Sequence, residues 1–262
     1  MNIKSILATI GVAALGAFPV TQVHAVPVGL EMVLMMDTSG SIDNNDFTIQ
    51  KNGYRDAFLD TTVQGLIAAT PGGVAVTLVQ WSTGQNQTIG WRLLQNAADA
   101  TSFANAINAM GRTSADATGT TNALNFSANL LATNAYQGAR SVIDVSSDGE
   151  DNTAPGCFDN TPCAALQAAR NAFLADSTHA INALWMADGT FYSTATLLAY
   201  GAANLIGGTD SFQGAVLGSS TFDFAMRTKL AREIGGVPEP GTLALFAIAL
   251  FGAFGGRRLL KR

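Results

Sequence analysis

The feature that most constrains this chain is Asp37-Thr38-Ser39-Gly40-Ser41, placed directly behind the largely apolar segment Leu30-Glu31-Met32-Val33-Leu34-Met35-Met36. A short apolar run that turns abruptly polar reads as a buried parallel strand emptying its side chains into the loop at its C-terminal end. Open α/β sheets keep their sites at that end. One carboxylate and two hydroxyls at alternate positions are hard oxygen donors, suited to a hard divalent cation such as Mg²⁺ rather than to a soft metal. Three donors do not complete such a shell, so other parts of the chain must supply the rest.

Behind this loop the pattern alternates. Asp46 to Ala68 reads as one helix, apolar at most positions of one face and capped by Asp43. Pro71-Gly72-Gly73 turns the chain into a strand over Val74 to Trp81, and a short strand follows over Gln87 to Leu93. Helices are expected at Ala98 to Met110 and Thr121 to Ala132. A strand over Ser141 to Ser146 then ends in a second polar burst, Ser147-Asp148-Gly149-Glu150-Asp151-Asn152. Helix over Pro162 to Ala175, strand over Ala180 to Met186, helix over Ser193 to Ala203 and a last helix over Phe222 to Ile234 complete the series. Strands alternating with helices predict a single α/β domain with a doubly wound, mainly parallel central sheet, Rossmann-like, flanked by helices on both faces.

The two ends read as processing signals. Lys4, the apolar run Ile6 to Val20 and Val23-His24-Ala25 make residues 1–25 a signal peptide cleaved by signal peptidase after Ala25. At the other end Pro238, Glu239 and Pro240 precede a nearly charge-free run, Leu243 to Phe254, and the basic cluster Arg257-Arg258-Leu259-Leu260-Lys261-Arg262. This order resembles the PEP-CTERM sorting signal of Gram-negative bacteria. The resemblance implies recognition by an exosortase-type membrane protease, only transient contact with the membrane through the C-terminal helix, and delivery to the outer surface or an exopolysaccharide matrix. Gly241 to Gly256 spans 16 residues, short of the ~20 that cross a bilayer comfortably. A retained anchor is therefore the weaker alternative to cleavage.

Between these ends, residues 26–235 form the expected domain and 236–262 the sorting segment. Residues 26–238 hold 9 Lys and Arg against 18 Asp and Glu, a net charge of −9. So acidic a domain argues against nucleic acid or anionic lipid as partner. The two cysteines, Cys157 and Cys163, lie six apart, which in an exported chain most simply means one disulfide tying a loop.

Asp37 follows the first strand and Asp148 the fourth, and in the strand order 3-2-1-4-5-6 these strands are neighbours, so both carboxylates face one crevice although 111 residues separate them. Thr118, five residues ahead of Ala123-Leu124, opens another helix at the same rim, with Thr120 and Thr121 close by. Together, the DxSxS run, the loop threonine and Ser147-Asp148-Gly149 resemble the metal-ion-dependent adhesion site of von Willebrand factor A (VWA) domains. The resemblance spans Val26 to Gly235. Runs such as Gln80-Trp81-Ser82, Ile206-Gly207-Gly208 and Lys229-Leu230-Ala231-Arg232-Glu233-Ile234 resemble a bacterial exported subgroup of that superfamily.

The resemblance implies Ser39 and Ser41 as direct ligands of Mg²⁺ or Mn²⁺, Thr118 as a state-dependent one, and Asp37 and Asp148 as ligands directly or through water. Neutral hydroxyls leave the cation under-neutralised with an open position, which an acidic group of a protein or matrix partner would complete. The expected function is a binding module of the cell surface without catalysis of its own. The rival functions are a metal-assisted hydrolase of matrix polymer and a structural matrix component with a vestigial site.

Other readings of the same residues fail or are minor. Asp37-Thr38 is not followed by the glycine of an aspartic protease, and Ile42 and Thr48 stand where an EF-hand needs glycine and glutamate. His179 would have to serve a Ser-His-Asp hydrolase, yet it opens a strand, where a structural role is expected. Asp144 reads as a hydrogen-bonded scaffold carboxylate, Glu150-Asp151 as a solvated loop, and Trp81, Trp91 and Trp185 as packing.

Overall fold

The computed structural model describes residues 25–158, 162–187, 189, 191–217 and 221–236. The expected signal peptide up to residue 24, the sorting motif Pro238, Glu239 and Pro240, and the hydrophobic run after it lie outside the described residues. Among the described residues no helix is long and apolar enough to cross a membrane.

The elements are β1 (Val26–Val28), β2 (Leu30–Asp37), α1 (Asn44–Leu59), α2 (Thr61–Ala69), β3 (Val74–Trp81), β4 (Gln85–Leu94), α3 (Ala97–Ala109) and α4 (Thr120–Thr133). They continue with β5 (Tyr136–Gly138), β6 (Ser141–Ser147), α5 (Ala164–Phe173), β7 (His179–Ala187), α6 (Thr194–Asn204), β8 (Gly207–Gly208), β9 (Gln213–Leu217) and α7 (Phe222–Gly235). The central sheet has the order β4-β3-β2-β6-β7-β8, with β9 also paired to β7. Strand β2 is parallel to both β3 and β6, β6 is parallel to β7, and β4 runs antiparallel to β3.

The expected doubly wound order is therefore present, with β2 and β6 as central neighbours. Strand β2 is buried on both faces. Leu30, Met32, Leu34 and Met36 pack under α1, α2, α3 and α7, whereas Val33 and Met35 pack under α4, α5 and α6. That two-residue period makes a three-layer molecule in which the central strands have no solvent face.

The structure corrects the reading of the elements in two places. The helix expected over Asp46 to Ala68 is two helices, because Asp60 ends α1 and caps α2, its carboxylate accepting from the amides of Thr62 and Val63. Four short strands carry no periodicity: β1 pairs with β5 in a separate two-stranded sheet, and β8 and β9 both lie against β7. Strands of two to five residues give too few alternations to be read.

Candidate metal centre

Register puts the two polar bursts side by side. Met36 pairs with Ser146 across β2 and β6, so Asp37 stands level with Ser147, one residue short of Asp148. Both carboxylates emerge at the same end of the sheet, as the motif spacing predicts. The Asp37 carboxylate is buried and accepts from the Ser39 amide at 2.7 Å and from the Ser147 hydroxyl at 2.5 Å. Ser41, on the exposed lip, donates its hydroxyl to Asp148 at 2.8 Å and lies 3.3 Å from the Ser39 hydroxyl. A chain of oxygens thus runs from Ser39 through Ser41 to Asp148.

Thr118 enters from the loop ahead of α4. It is buried, its amide donates to the Asn152 side chain at 2.8 Å, and its carbonyl accepts from the Asn152 amide at 3.0 Å. Its hydroxyl lies 3.9 Å from where a side-chain carbon on Gly149 would stand, beside Asp148. Thr121 serves a different purpose, because its amide donates to the Asp151 carboxylate at 2.7 Å. Of the three threonines near this helix start, only the Thr118 hydroxyl comes within 4 Å of the Gly149 position.

The electrostatics are those of a site short of positive charge. Burial pushes the Asp37 carboxyl up to about 6, against hydrogen bonds from Ser147 and Ser39. Burial and then the Asp37 charge push Asp148 up to about 7, against the Ser41 hydrogen bond. Among the described residues no lysine, arginine or histidine pairs with either carboxylate. Two carboxylates and the hydroxyls of Ser39, Ser41 and Thr118 fit a hard divalent cation, which would supply the missing charge. No group of three or more histidines, cysteines, aspartates or glutamates placed to hold a metal occurs among the described residues. The donor set is therefore hydroxyl-rich and unlike a zinc cluster.

Residues that no local motif reveals hold this loop in place. Arg112 donates to the carbonyls of Thr38 at 2.9 Å, Ser39 at 2.7 Å and Ser114 at 3.0 Å, clamping the DxSxS loop to the loop ahead of α4. Gln50, on α1, donates to the Asp37 carbonyl at 3.1 Å and accepts from the Ser146 hydroxyl at 2.6 Å, so it bridges the ends of β2 and β6. At Gly119 a side chain would meet the Ser82 carbonyl at 2.6 Å, so the close approach of α4 to the β3 loop needs glycine there.

The acidic pair Glu150-Asp151 is not the solvated loop expected from sequence. Both residues are buried, and Asp151 accepts from the amides of Thr121, Thr153 and Ala154, capping α4 from a distant loop. Burial alone would raise its pKa, but these hydrogen bonds outweigh burial and hold it below the usual carboxylate value.

The remaining sequence expectations have definite places. Cys157 and Cys163 are joined in a disulfide. His179 sits at the N-terminal end of β7, the end of the sheet opposite Asp148. Its Nδ1 lies 2.7 Å from the Phe173 carbonyl and its ring stacks on Phe173, a structural role. Trp81 and Trp185 are buried in the core, and Trp91 is half-buried beside Tyr136. Asp144 accepts from the Tyr54 hydroxyl at 2.9 Å and pairs with Lys229 deep under the sheet, as a scaffold carboxylate would.

Comparisons with known proteins agree with this architecture. Residues 27–238 match the family described as "Protein of unknown function (DUF1194)", and residues 236–259 match the PEP-CTERM protein-sorting motif. No curated protein matches the chain. Proximal thread matrix protein 1 from the mussel byssus superposes with a TM-score of 0.53 at 16% identity, over 79% of this chain and 46% of that one. A second structure of that mussel protein has a zinc-occupied MIDAS motif, with a TM-score of 0.50 at 15% identity over 77% and 46% of the two chains. This chain thus spans less than half the length of the mussel protein. The vWF domain of the type V pili tip protein Mfa5 from Porphyromonas gingivalis gives 0.53 at 13% identity, over 81% of this chain and 97% of that one. The pilus adhesin SpaC from Lactobacillus rhamnosus GG gives 0.53 at 14% identity, over 79% and 30%. At these identities the likeness is one of fold, and the fold is VWA-like.

Proposed function

The chain belongs to the family described as "Protein of unknown function (DUF1194)", and from that premise we propose that it is an exported binding module. On this reading it holds Mg²⁺ or Mn²⁺ at Asp37, Ser39, Ser41, Thr118 and Asp148, and offers an open coordination position to an acidic group of a partner at the cell surface. The observation that carries the reading is the convergence of Asp37, Ser39, Ser41 and Asp148, linked by hydrogen bonds of 2.7 Å, 3.3 Å and 2.8 Å, at the sheet's C-terminal end. Two carboxyls, Asp37 buried and Asp148 half-buried, whose pKa values burial raises to about 6 and about 7, are what a cation would relieve.

Hydroxyl ligands support binding rather than cleavage, because they leave the cation able to attract an anion without supplying a base. His179 is at the wrong end of the sheet to serve as one. The PEP-CTERM motif supports exosortase-type processing and a place on the outer surface or in the extracellular matrix of a Gram-negative bacterium. The mussel protein, one structure of which has a zinc-occupied MIDAS motif, supports the metal-binding reading.

Calorimetry with added Mg²⁺, Mn²⁺ or Ca²⁺ tests the proposal directly. Metal at a hundred times its Kd stabilises a single site by about 2.7 kcal/mol. The unmutated protein should show a metal-dependent rise in melting temperature that EDTA reverses, and Asp37→Ala should abolish it. A melting curve indifferent to all three ions would end the metal reading.

A further inference from the structure

Away from the metal centre, a cluster of reactive side chains is enclosed between the sheet and α7. Asp144 lies in the middle of β6, where register sets it between Leu34 of β2 and Asn182 of β7. On α7, Lys229 and Glu233 stand one turn apart, and Met226 and Leu230 of the same helix are buried in the core. Asp144 and Tyr54 are wholly buried, and Lys229 and Glu233 are only 4% and 2% exposed. The Lys229 Nζ touches Asp144 Oδ2 and lies 2.8 Å from Glu233 Oε1. Asp144 Oδ1 accepts from the Tyr54 hydroxyl at 2.9 Å, and Glu233 Oε1 also accepts from Asn182 at 2.9 Å. Glu233 Oε2 has no hydrogen-bond partner among the described residues. An amine, a carboxyl carbon and a second carboxyl are thus held together out of water.

An ammonium and a carboxylate are costly to hold out of water even as a pair. Shifting one proton from Nζ to Asp144 makes both neutral, the forms that burial favours, and frees the lone pair of the nitrogen. Nucleophile and carbon are by then already side by side, so the entropy lost in bringing them together has been met during folding. Burial, and then the charge of Asp144, raises the Tyr54 hydroxyl well above the ordinary phenol value. Tyr54 therefore keeps its proton and donates to Oδ1, where negative charge gathers as nitrogen adds to Cγ. Glu233, raised by burial as well, can receive a proton at Oε1 and hand one on from Oε2.

We propose that Lys229 and Asp144 join in an intramolecular amide bond, with Glu233 carrying the proton and Tyr54 stabilising the oxygen that becomes negative. Nζ bonds to Cγ, and the bond from Cγ to Oδ2 breaks. Of the three ammonium protons, one stays on the amide, one passes directly to Oδ2, and one passes to Glu233 Oε1 while Glu233 gives its own from Oε2 to Oδ2. That oxygen leaves as water, Glu233 ends as it began, and nothing is oxidised or reduced. The product is neutral and ties α7 to the central strand β6. The PEP-CTERM match begins at residue 236, where α7 ends, so a pull or a protease acting on the tail would meet a helix that cannot peel from the sheet. This bond is independent of the metal reading.

Mass spectrometry of the denatured, unmutated protein tests this. With its ends mapped and its disulfide counted, the chain should be lighter than its sequence by one water. Trypsin should spare the acylated Lys229, leaving Thr228–Arg232 attached to Ser141–Arg170 in one branched peptide. Glu233→Gln keeps both reacting groups, and in pulse-labelled protein it should slow the linkage by about a hundredfold, the scale of a positioned proton carrier. A full-mass unmutated protein that yields Thr228-Lys229 and Leu230–Arg232 as separate peptides would overturn the proposal. So would a lost water confined to the peptide of residues 141–170, where Asp148-Gly149 can cyclise to a succinimide. Linkage in Glu233→Gln as fast as in the unmutated protein would overturn the role given to Glu233.

Discussion

At the scale of single residues, the carboxyls of Asp37 and Asp148 dominate. In the metal-free protein both are raised, to about 6 and about 7, above an ordinary value of 3.8. The folded state then binds more protons than the unfolded chain between about pH 4 and pH 7, so metal-free stability declines as pH rises through that window. A bound cation prefers the ionised carboxylates, so its effect has the opposite sign. Mg²⁺ should raise the melting temperature at pH 8 and do little at pH 5, and scanning calorimetry at the two pH values checks this. An equal rise at both would mean that protons and metal do not compete for these oxygens. The proposed donors Asp37, Ser39, Ser41 and Asp148 are legible in the sequence because each motif is local. Arg112 and Gln50 are not legible, since Arg112 holds backbone carbonyls, which leave no trace in the identity of the partner residue, and Gln50 joins a backbone carbonyl to the hydroxyl of Ser146 on a distant strand.

At the scale of elements, α7 is fastened to the sheet by buried charge. The Lys229 ammonium pairs with both Asp144 and Glu233, Tyr54 donates to Asp144, and Asn182 donates to Glu233 at 2.9 Å. Two carboxyls share one ammonium in a place where neither reaches water. Burial, and then the charge of Asp144, pushes Glu233 well above the ordinary carboxylate range, against the Lys229 ammonium. Glu233→Gln should therefore cost less stability at pH 7 than loss of the ammonium, because an amide replaces a carboxyl whose pKa burial has raised. Lys229→Met should cost about 3–5 kcal/mol, because it strands a buried carboxylate. Urea unfolding of the two variants compares them, and equal losses would show Glu233 to be ionised. Helix α7 also approaches α1 closely, with the Phe222 ring 2.8 Å from where a side-chain carbon on Gly53 would stand. The apolar period of α7 is visible in sequence, but Lys229 and Glu233 look like surface residues there, because the period does not show which polar groups face a partner.

At the scale of the whole molecule, the described residues form one three-layer domain. The PEP-CTERM match over residues 236–259 begins where α7 ends. If that tail is removed on export, mass spectrometry of surface material should find a C-terminus near Pro238. Peptides containing Leu259-Leu260 recovered from the same material would contradict removal. Sequence by itself showed the alternation of strand and helix, the VWA-like resemblance and the candidate residues of the proposed site, because periodicity and motif spacing are properties of neighbours along the chain. Tertiary structure alone decided that the Thr118 hydroxyl lies close to Gly149, that Asp151 caps α4, and that Asp144, Lys229 and Glu233 meet beneath the sheet. Each of these depends on which distant segments the packing of the layers brings together, and therefore on burial and local dielectric, which no spacing within a strand or loop encodes.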